Sequence, residues 1–116
     1  MLVITSTTTL VPDNPAAAYA AYRQAASAVF LAGTQGLKYK KDHYDLAVDL
    51  SKAGLTYIDE RADEIVIGAM TPLWQIKISQ AIQNFAGGAI SKAISDVADK
   101  NIQRYGTLGG VISSKA

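Results

Sequence analysis

Val29-Phe30-Leu31-Ala32-Gly33-Thr34-Gln35-Gly36-Leu37 is the stretch whose reading decides the fold. An apolar run that ends abruptly in Gly, Thr, Gln and Gly reads as a buried strand entering a tight loop. Glycine there permits positive φ and a close approach by a ligand. Backbone N–H groups in such a loop can converge on an anion. A glycine where a strand meets a turn also occurs for structural reasons alone, so this stretch needs a second feature beside it.

That feature lies near the far end, at Gly106-Thr107-Leu108-Gly109-Gly110, which reads as a second glycine turn. Two such turns could clamp one extended, charged ligand such as a dinucleotide.

Before the first glycine loop, Asp13-Asn14-Pro15 predicts a helix start, with a capping side chain followed by proline at the first helical position. Ala16 to Ala28 has strong helix propensity. Tyr19, Tyr22 and Ala26 fall at three- and four-residue spacing, so they are expected on one face against the core. Leu2-Val3-Ile4 reads as a first strand and Val29 to Ala32 as the next. The order β-α-β suits a parallel pair covered by its helix. The glycine loop then falls at the carboxyl end of a strand, where open α/β sheets place ligands.

After the loop, Lys38 to Asp45 is charged and holds His43, the single histidine, expected to be solvated. Leu46 to Leu50, Leu55 to Asp59 and Asp63 to Met70 are strand candidates. The last two flank a polar turn and predict an antiparallel hairpin. Asp59, Glu60, Asp63 and Glu64 sit around Arg61 in that turn and are expected to form a solvated face. Thr71-Pro72 predicts a helix start by the logic of Asn14-Pro15, with Leu73, Ile76, Ile78 and Ile82 as its apolar side. Gly87-Gly88 marks a break. Helical spacing resumes over Ala89 to Lys100, with Ile90, Ala93, Ile94, Val97 and Ala98 inward and Ser91, Lys92, Ser95 and Asp96 outward. Lys100 to Tyr105 ends or redirects that helix.

The 116 residues are 49% hydrophobic, enough for a core, and carry a net charge of +1. With no basic cluster beyond Lys38, Lys40 and Lys41, nucleic acid is not an expected partner. The absence of cysteine excludes disulfides, iron–sulfur ligation and cysteine nucleophiles within the chain. One histidine makes no transition-metal site. No apolar run reaches membrane-spanning length and no signal peptide is expected at Met1 to Val11, so a cytoplasmic protein is expected.

Four patches resemble the FAD-binding (flavoprotein) subunit or domain of the molybdenum hydroxylases, the xanthine dehydrogenase and carbon monoxide dehydrogenase type. They are Phe30-Leu31-Ala32-Gly33-Thr34-Gln35, Ala47-Val48-Asp49-Leu50-Ser51, Ile65-Val66-Ile67-Gly68-Ala69-Met70-Thr71-Pro72-Leu73, and Asn101 to Ile112 with its Thr107-Leu108-Gly109-Gly110 core. Order and spacing match across roughly residues 13 to 112.

The resemblance implies an α+β fold with an α/β-like start: a β-α-β unit with its glycine loop, a hairpin, then C-terminal helices. One domain over 1–116 is expected, with 1–70 as a first α/β subdomain and 71–116 opening a helical part. Carried over residue by residue, the FAD contacts implied are Leu31, Ala32, Gly33, Thr34, Gln35 and Gly36, then Thr107, Gly109 and Gly110, largely at the pyrophosphate. The implied role is an electron relay from an iron–sulfur partner to NAD or another acceptor. The flavin does the chemistry, and no catalytic side chain or metal is expected in this chain. Molybdenum-cofactor and iron–sulfur subunits are the implied partners, or self-association.

The chain departs from the family pattern in three places. Ala32 stands where the first loop has its first glycine, Val111 replaces a polar residue, and six residues follow Gly110 where the family continues. The expected flavin site is therefore incomplete. Two other readings stay open: a degenerate relative acting as an assembly module without flavin, and a binder of small phosphorylated ligands using the first loop. The flavin reading expects Gly109→Val to abolish FAD binding at limited cost in stability.

Overall fold

The computed structural model describes residues 3–32, 41–97 and 99–114. The chain divides into two compact units, residues 1–55 and 56–116.

In the first unit, β1 (Val3–Leu10), helix α1 (Pro15–Gln24), β2 (Ala28–Leu31) and β3 (Lys41–Asp49) build a three-stranded sheet. Its order is β1-β3-β2 and both pairings are parallel. The expected β1–β2 parallel pair is corrected: the two strands run parallel, but β3 lies between them. The Thr-rich run after Ile4 continues β1 because β3 supplies a ladder along its length, from Val3 opposite Lys41 to Leu10 opposite Val48. His43 is exposed, as expected, and lies opposite Thr5, with Nδ1 2.7 Å from Thr5 Oγ1.

Helix α1 starts as the sequence predicts. Asn14 Oδ1 accepts from the Ala17 N–H at 2.8 Å, and Pro15 occupies the first helical position, where no N–H is needed. Its buried ridge is not the tyrosine stripe. Ala18 is 3% exposed and packs with Leu46 and Val48, joined by Ala21 and Ala25, whereas Tyr19 is 57% exposed. Small side chains let the helix sit close on the sheet, and the tyrosines fall at the rim. There Tyr19 accepts a hydrogen bond from Arg23 at 3.0 Å, and Tyr22 stacks on Phe30 with centroids 4.4 Å apart. Ala26 lies past the helix end and is exposed.

The second unit opens with the expected antiparallel hairpin, β4 (Ile58–Glu60) and β5 (Ile65–Ile67). At its turn Arg61 bonds Asp59 at 2.9 Å and lies 3.6 Å from Glu64, all exposed, as the reading of a solvated face requires. Helices α2 (Leu73–Ile78), α3 (Gln80–Asn84), α4 (Ala89–Val97), α5 (Lys100–Tyr105) and α6 (Leu108–Ser114) follow. The core is Leu73, Ile76, Ile82 and Ile94, with Ile58, Ile65 and Ile67 of the hairpin packed against it.

Three side-chain expectations change here. Ile78 is 63% exposed, because α2 stops at Ser79, whose extended backbone redirects the chain before α3. Ala93 is exposed. Ser91 is half-buried, because its hydroxyl donates to the Lys77 carbonyl at 3.1 Å. The break at Gly87-Gly88 is present, with φ of +50° at Ala86, +66° at Gly87 and +82° at Gly88. Asp99 caps α5, accepting from the Ile102 N–H at 2.8 Å, so the chain restarts a helix rather than prolonging α4. Among the described residues, no helix is long and apolar enough to cross a membrane.

Candidate functional site

The candidate residues fall in different units. Leu31 closes β2, where its carbonyl accepts from the Leu50 N–H at 3.1 Å, and Ala32 follows directly. Gly33, Thr34, Gln35 and Gly36 lie outside the described residues. Thr107, Gly109 and Gly110 belong to the second unit and are described in full.

There the expected glycine turn is the first turn of a helix. Leu108, Gly109 and Gly110 open α6, and Thr107 caps it: the Gly110 N–H donates to Thr107 Oγ1 at 3.2 Å, and the Val111 N–H to the Thr107 carbonyl at 3.0 Å. Two adjacent glycines disfavour a helix by propensity, so this turn needs outside support. The loop Gly68–Leu73 supplies it. The Gly109 N–H donates to the Ala69 carbonyl at 2.8 Å, the Leu108 N–H to the Thr71 carbonyl at 3.1 Å, and the Leu73 N–H to the Gly106 carbonyl at 3.0 Å. Pro72 and Thr107 pair as an antiparallel bridge between these bonds.

Thr71 anchors the loop from the other side. It is fully buried, and its hydroxyl donates to the Tyr57 carbonyl at 3.0 Å while accepting from the Tyr57 N–H at 3.1 Å. The expectation that Thr71 caps α2 is thereby corrected. Pro72 is the N-cap residue and, having no polar side chain, makes no cap bond, while the hydroxyl of the threonine before it is committed to Tyr57. In the sequence Ala69 falls in a strand candidate and Thr71 in an expected helix start, and neither is read there as holding the glycine turn. The sequence signal that could have singled them out is a threonine beside a proline with no periodic apolar role.

This geometry bears on whether the turn suits FAD. The N–H groups of Leu108, Gly109 and Gly110 already donate within the chain, so they do not form an open backbone cradle for pyrophosphate. The room at Gly109 is also used internally: a Cβ there would stand 3.0 Å from both the Cβ and the carbonyl oxygen of Ala69. The limited stability cost expected for Gly109→Val is corrected accordingly, since backbone cannot yield as a flexible side chain would. At Gly110 a Cβ would meet Thr107 Oγ1 at 3.1 Å. The Thr107 hydroxyl accepts from Gly110 and so keeps its own proton to donate, but the residue is buried, 5% exposed. Gly110 is exposed beside it. A groove of about 600 Å³ lies between the hairpin turn and α3, bordered by Glu60, Arg61 and Phe85, and contains none of the described candidate residues.

The elements make an α+β fold, a parallel sheet with its helix followed by a hairpin and helices. Residues 5–116 match the profile of the FAD binding domain in molybdopterin dehydrogenase, and the chain belongs to that family. FAD is the cofactor this membership gives.

Solved structures agree. A carbon monoxide dehydrogenase from Hydrogenophaga pseudoflava, lacking the Mo-pyranopterin moiety of the molybdenum cofactor, matches 90% of the chain at 26% identity and a TM-score of 0.81. A cyanide-inactivated Cu,Mo-CO dehydrogenase matches 94% at 28% identity, again with a TM-score of 0.81. Quinoline 2-oxidoreductase from Pseudomonas putida 86 matches 97% at 20% identity with a TM-score of 0.78, a likeness of fold. The chain covers 38%, 40% and 39% of those three chains respectively. No curated protein sequence matches significantly.

Proposed function

We propose that this chain binds FAD as part of a molybdenum hydroxylase-type oxidoreductase. There the flavin would relay electrons from an iron–sulfur partner to NAD or another acceptor. The observation that carries the proposal is the joining of Gly68–Leu73 to Gly106–Gly109 by three backbone hydrogen bonds, from Gly109, Leu108 and Leu73, in a chain matched to the family over residues 5–116. These two segments hold the sequence most specific to the resemblance, and each is built to hold the other.

The roles of the chain's own residues follow from the geometry. Thr107 would donate its hydroxyl proton to a phosphate oxygen of FAD. Gly109 and Gly110 would keep the turn narrow enough for that hydroxyl to be reached, Gly109 by packing on Ala69. Leu31 to Gly36 are the remaining candidate contacts. The bound flavin supplies the redox chemistry, and the protein binds and orients it. Molybdenum-cofactor and iron–sulfur subunits as partners, and a cytoplasmic setting, are part of the same proposal. A second reading, an assembly module without flavin, is favoured by one observation: the N–H groups of the turn are spent inside the chain.

A visible absorbance spectrum after incubation with FAD and desalting separates the two. A flavin spectrum that stays with the protein is the expected result. A colourless protein with no affinity for added FAD overturns the proposal in favour of the assembly module.

A further inference from the structure

We propose that Thr71 is the positioning residue for the Thr107–Gly110 turn, fixing through its backbone the segment that would meet FAD. The inference rests on the flavin reading for its ligand, and on geometry for the rest. Thr71 is fully buried and is tied to three partners at once. Its hydroxyl exchanges two hydrogen bonds with Tyr57, its N–H donates to the Gly68 carbonyl at 3.0 Å, and its carbonyl receives the Leu108 N–H.

The two-way bond with Tyr57 holds the side chain in one rotamer and registers the loop on the strand end before β4. The Ala69 and Thr71 carbonyls are set by that register, and they receive the N–H groups of Gly109 and Leu108. With the hydroxyl removed, the Tyr57 N–H loses its partner at a part-buried site, and the loop can shift to recover one. Any such shift moves both carbonyls, the start of α6, and with it the capping oxygen of Thr107. Thr71 acts through Leu108 and need not touch the ligand.

The test compares Thr71→Val, which keeps the shape without the hydroxyl, with Thr71→Ser, which keeps the hydroxyl. FAD affinity is measured by quenching of flavin fluorescence, and protection of the Leu108 and Gly109 amides by hydrogen exchange. Ile94→Val, in the hydrophobic core of the same unit, controls for stability. Thr71→Val is expected to weaken FAD binding by about tenfold or more, with Thr71→Ser within about threefold of the parent. The two amides should exchange faster in Thr71→Val and at the parent rate in Thr71→Ser and Ile94→Val.

Parental affinity and protection in a folded Thr71→Val overturn the inference. So does an equal loss in Ile94→Val, which would mark a general stability effect. If the parent chain itself ignores FAD, the proposed function fails, and the amide exchange alone then decides whether Thr71 sets the turn. If Thr71→Val does not fold, Thr71→Cys with its weak S–H donor takes its place. Loss between the parent and a full break is expected there, and no loss overturns the inference.

Discussion

Gly87 and Gly109 lie in the same unit and are glycines for opposite reasons. Gly87 has a φ of +66° and nothing within 4 Å of where a Cβ would stand, so torsion alone selects it. Gly109 lies in the first turn of α6 without positive φ, and a Cβ there would meet the Ala69 backbone at 3.0 Å, so space alone selects it. In sequence the two look alike, each a Gly-Gly pair after a helical stretch. The difference teaches that a glycine pair signals a constraint without naming it. Here the constraint that lies nearer the candidate site is a contact between two chain segments.

The largest effect should come from filling the crowded position. Gly109→Val is expected to cost about 3 kcal/mol through overpacking against Ala69. It should also abolish FAD binding. Trp74, the single tryptophan, lies on α2, so denaturation followed by its fluorescence reports this unit directly. An unchanged midpoint would show that Gly109 is not held against Ala69. Gly87→Ala should cost less, about 1 kcal/mol, because the new Cβ meets no neighbour and only the left-handed backbone resists it. A loss as large as that of Gly109→Val would erase the distinction between the two glycines. The smallest change should be a gain. Ala86 has a φ of +50° with a Cβ in place, so Ala86→Gly is expected to stabilise by about 0.5 kcal/mol, strain relief slightly exceeding glycine's entropy cost. A destabilised Ala86→Gly would show that the alanine side chain is needed at that bend.

Much of the fold was legible where local chemistry decides it. Asn14-Pro15 started a helix because a cap and a proline act on their immediate neighbours. The hairpin around Arg61 and the break at Gly87-Gly88 were legible for the same reason. What escaped was set by distant partners. β1 extends through a polar run because β3 lies beside it, and β3 begins in a charged stretch that carries no strand pattern of its own. Gly109 and Gly110 read as a turn because their propensity opposes a helix, and the Ala69 and Thr71 carbonyls that accept from Gly109 and Leu108 and reverse this belong to a segment remote in sequence. At the candidate site, the sequence pointed to Thr107 and its glycines through family resemblance. It could not show that their N–H groups were already spent, since that depends on where Gly68–Leu73 lies.

The central place of β3 has a consequence for the order in which the chain takes shape. β1 and β2 both pair with a strand made after them, and Thr5 meets His43 across 38 residues. A nascent chain that has emerged only through β2 therefore holds a helix and two strands with no sheet to join. The hairpin of the second unit, by contrast, closes on its own neighbours. Long-range parallel pairing is slow and leaves strand edges open meanwhile. The parallel sheet is thus the stage at which this chain is most exposed to mispairing with another copy of itself during synthesis.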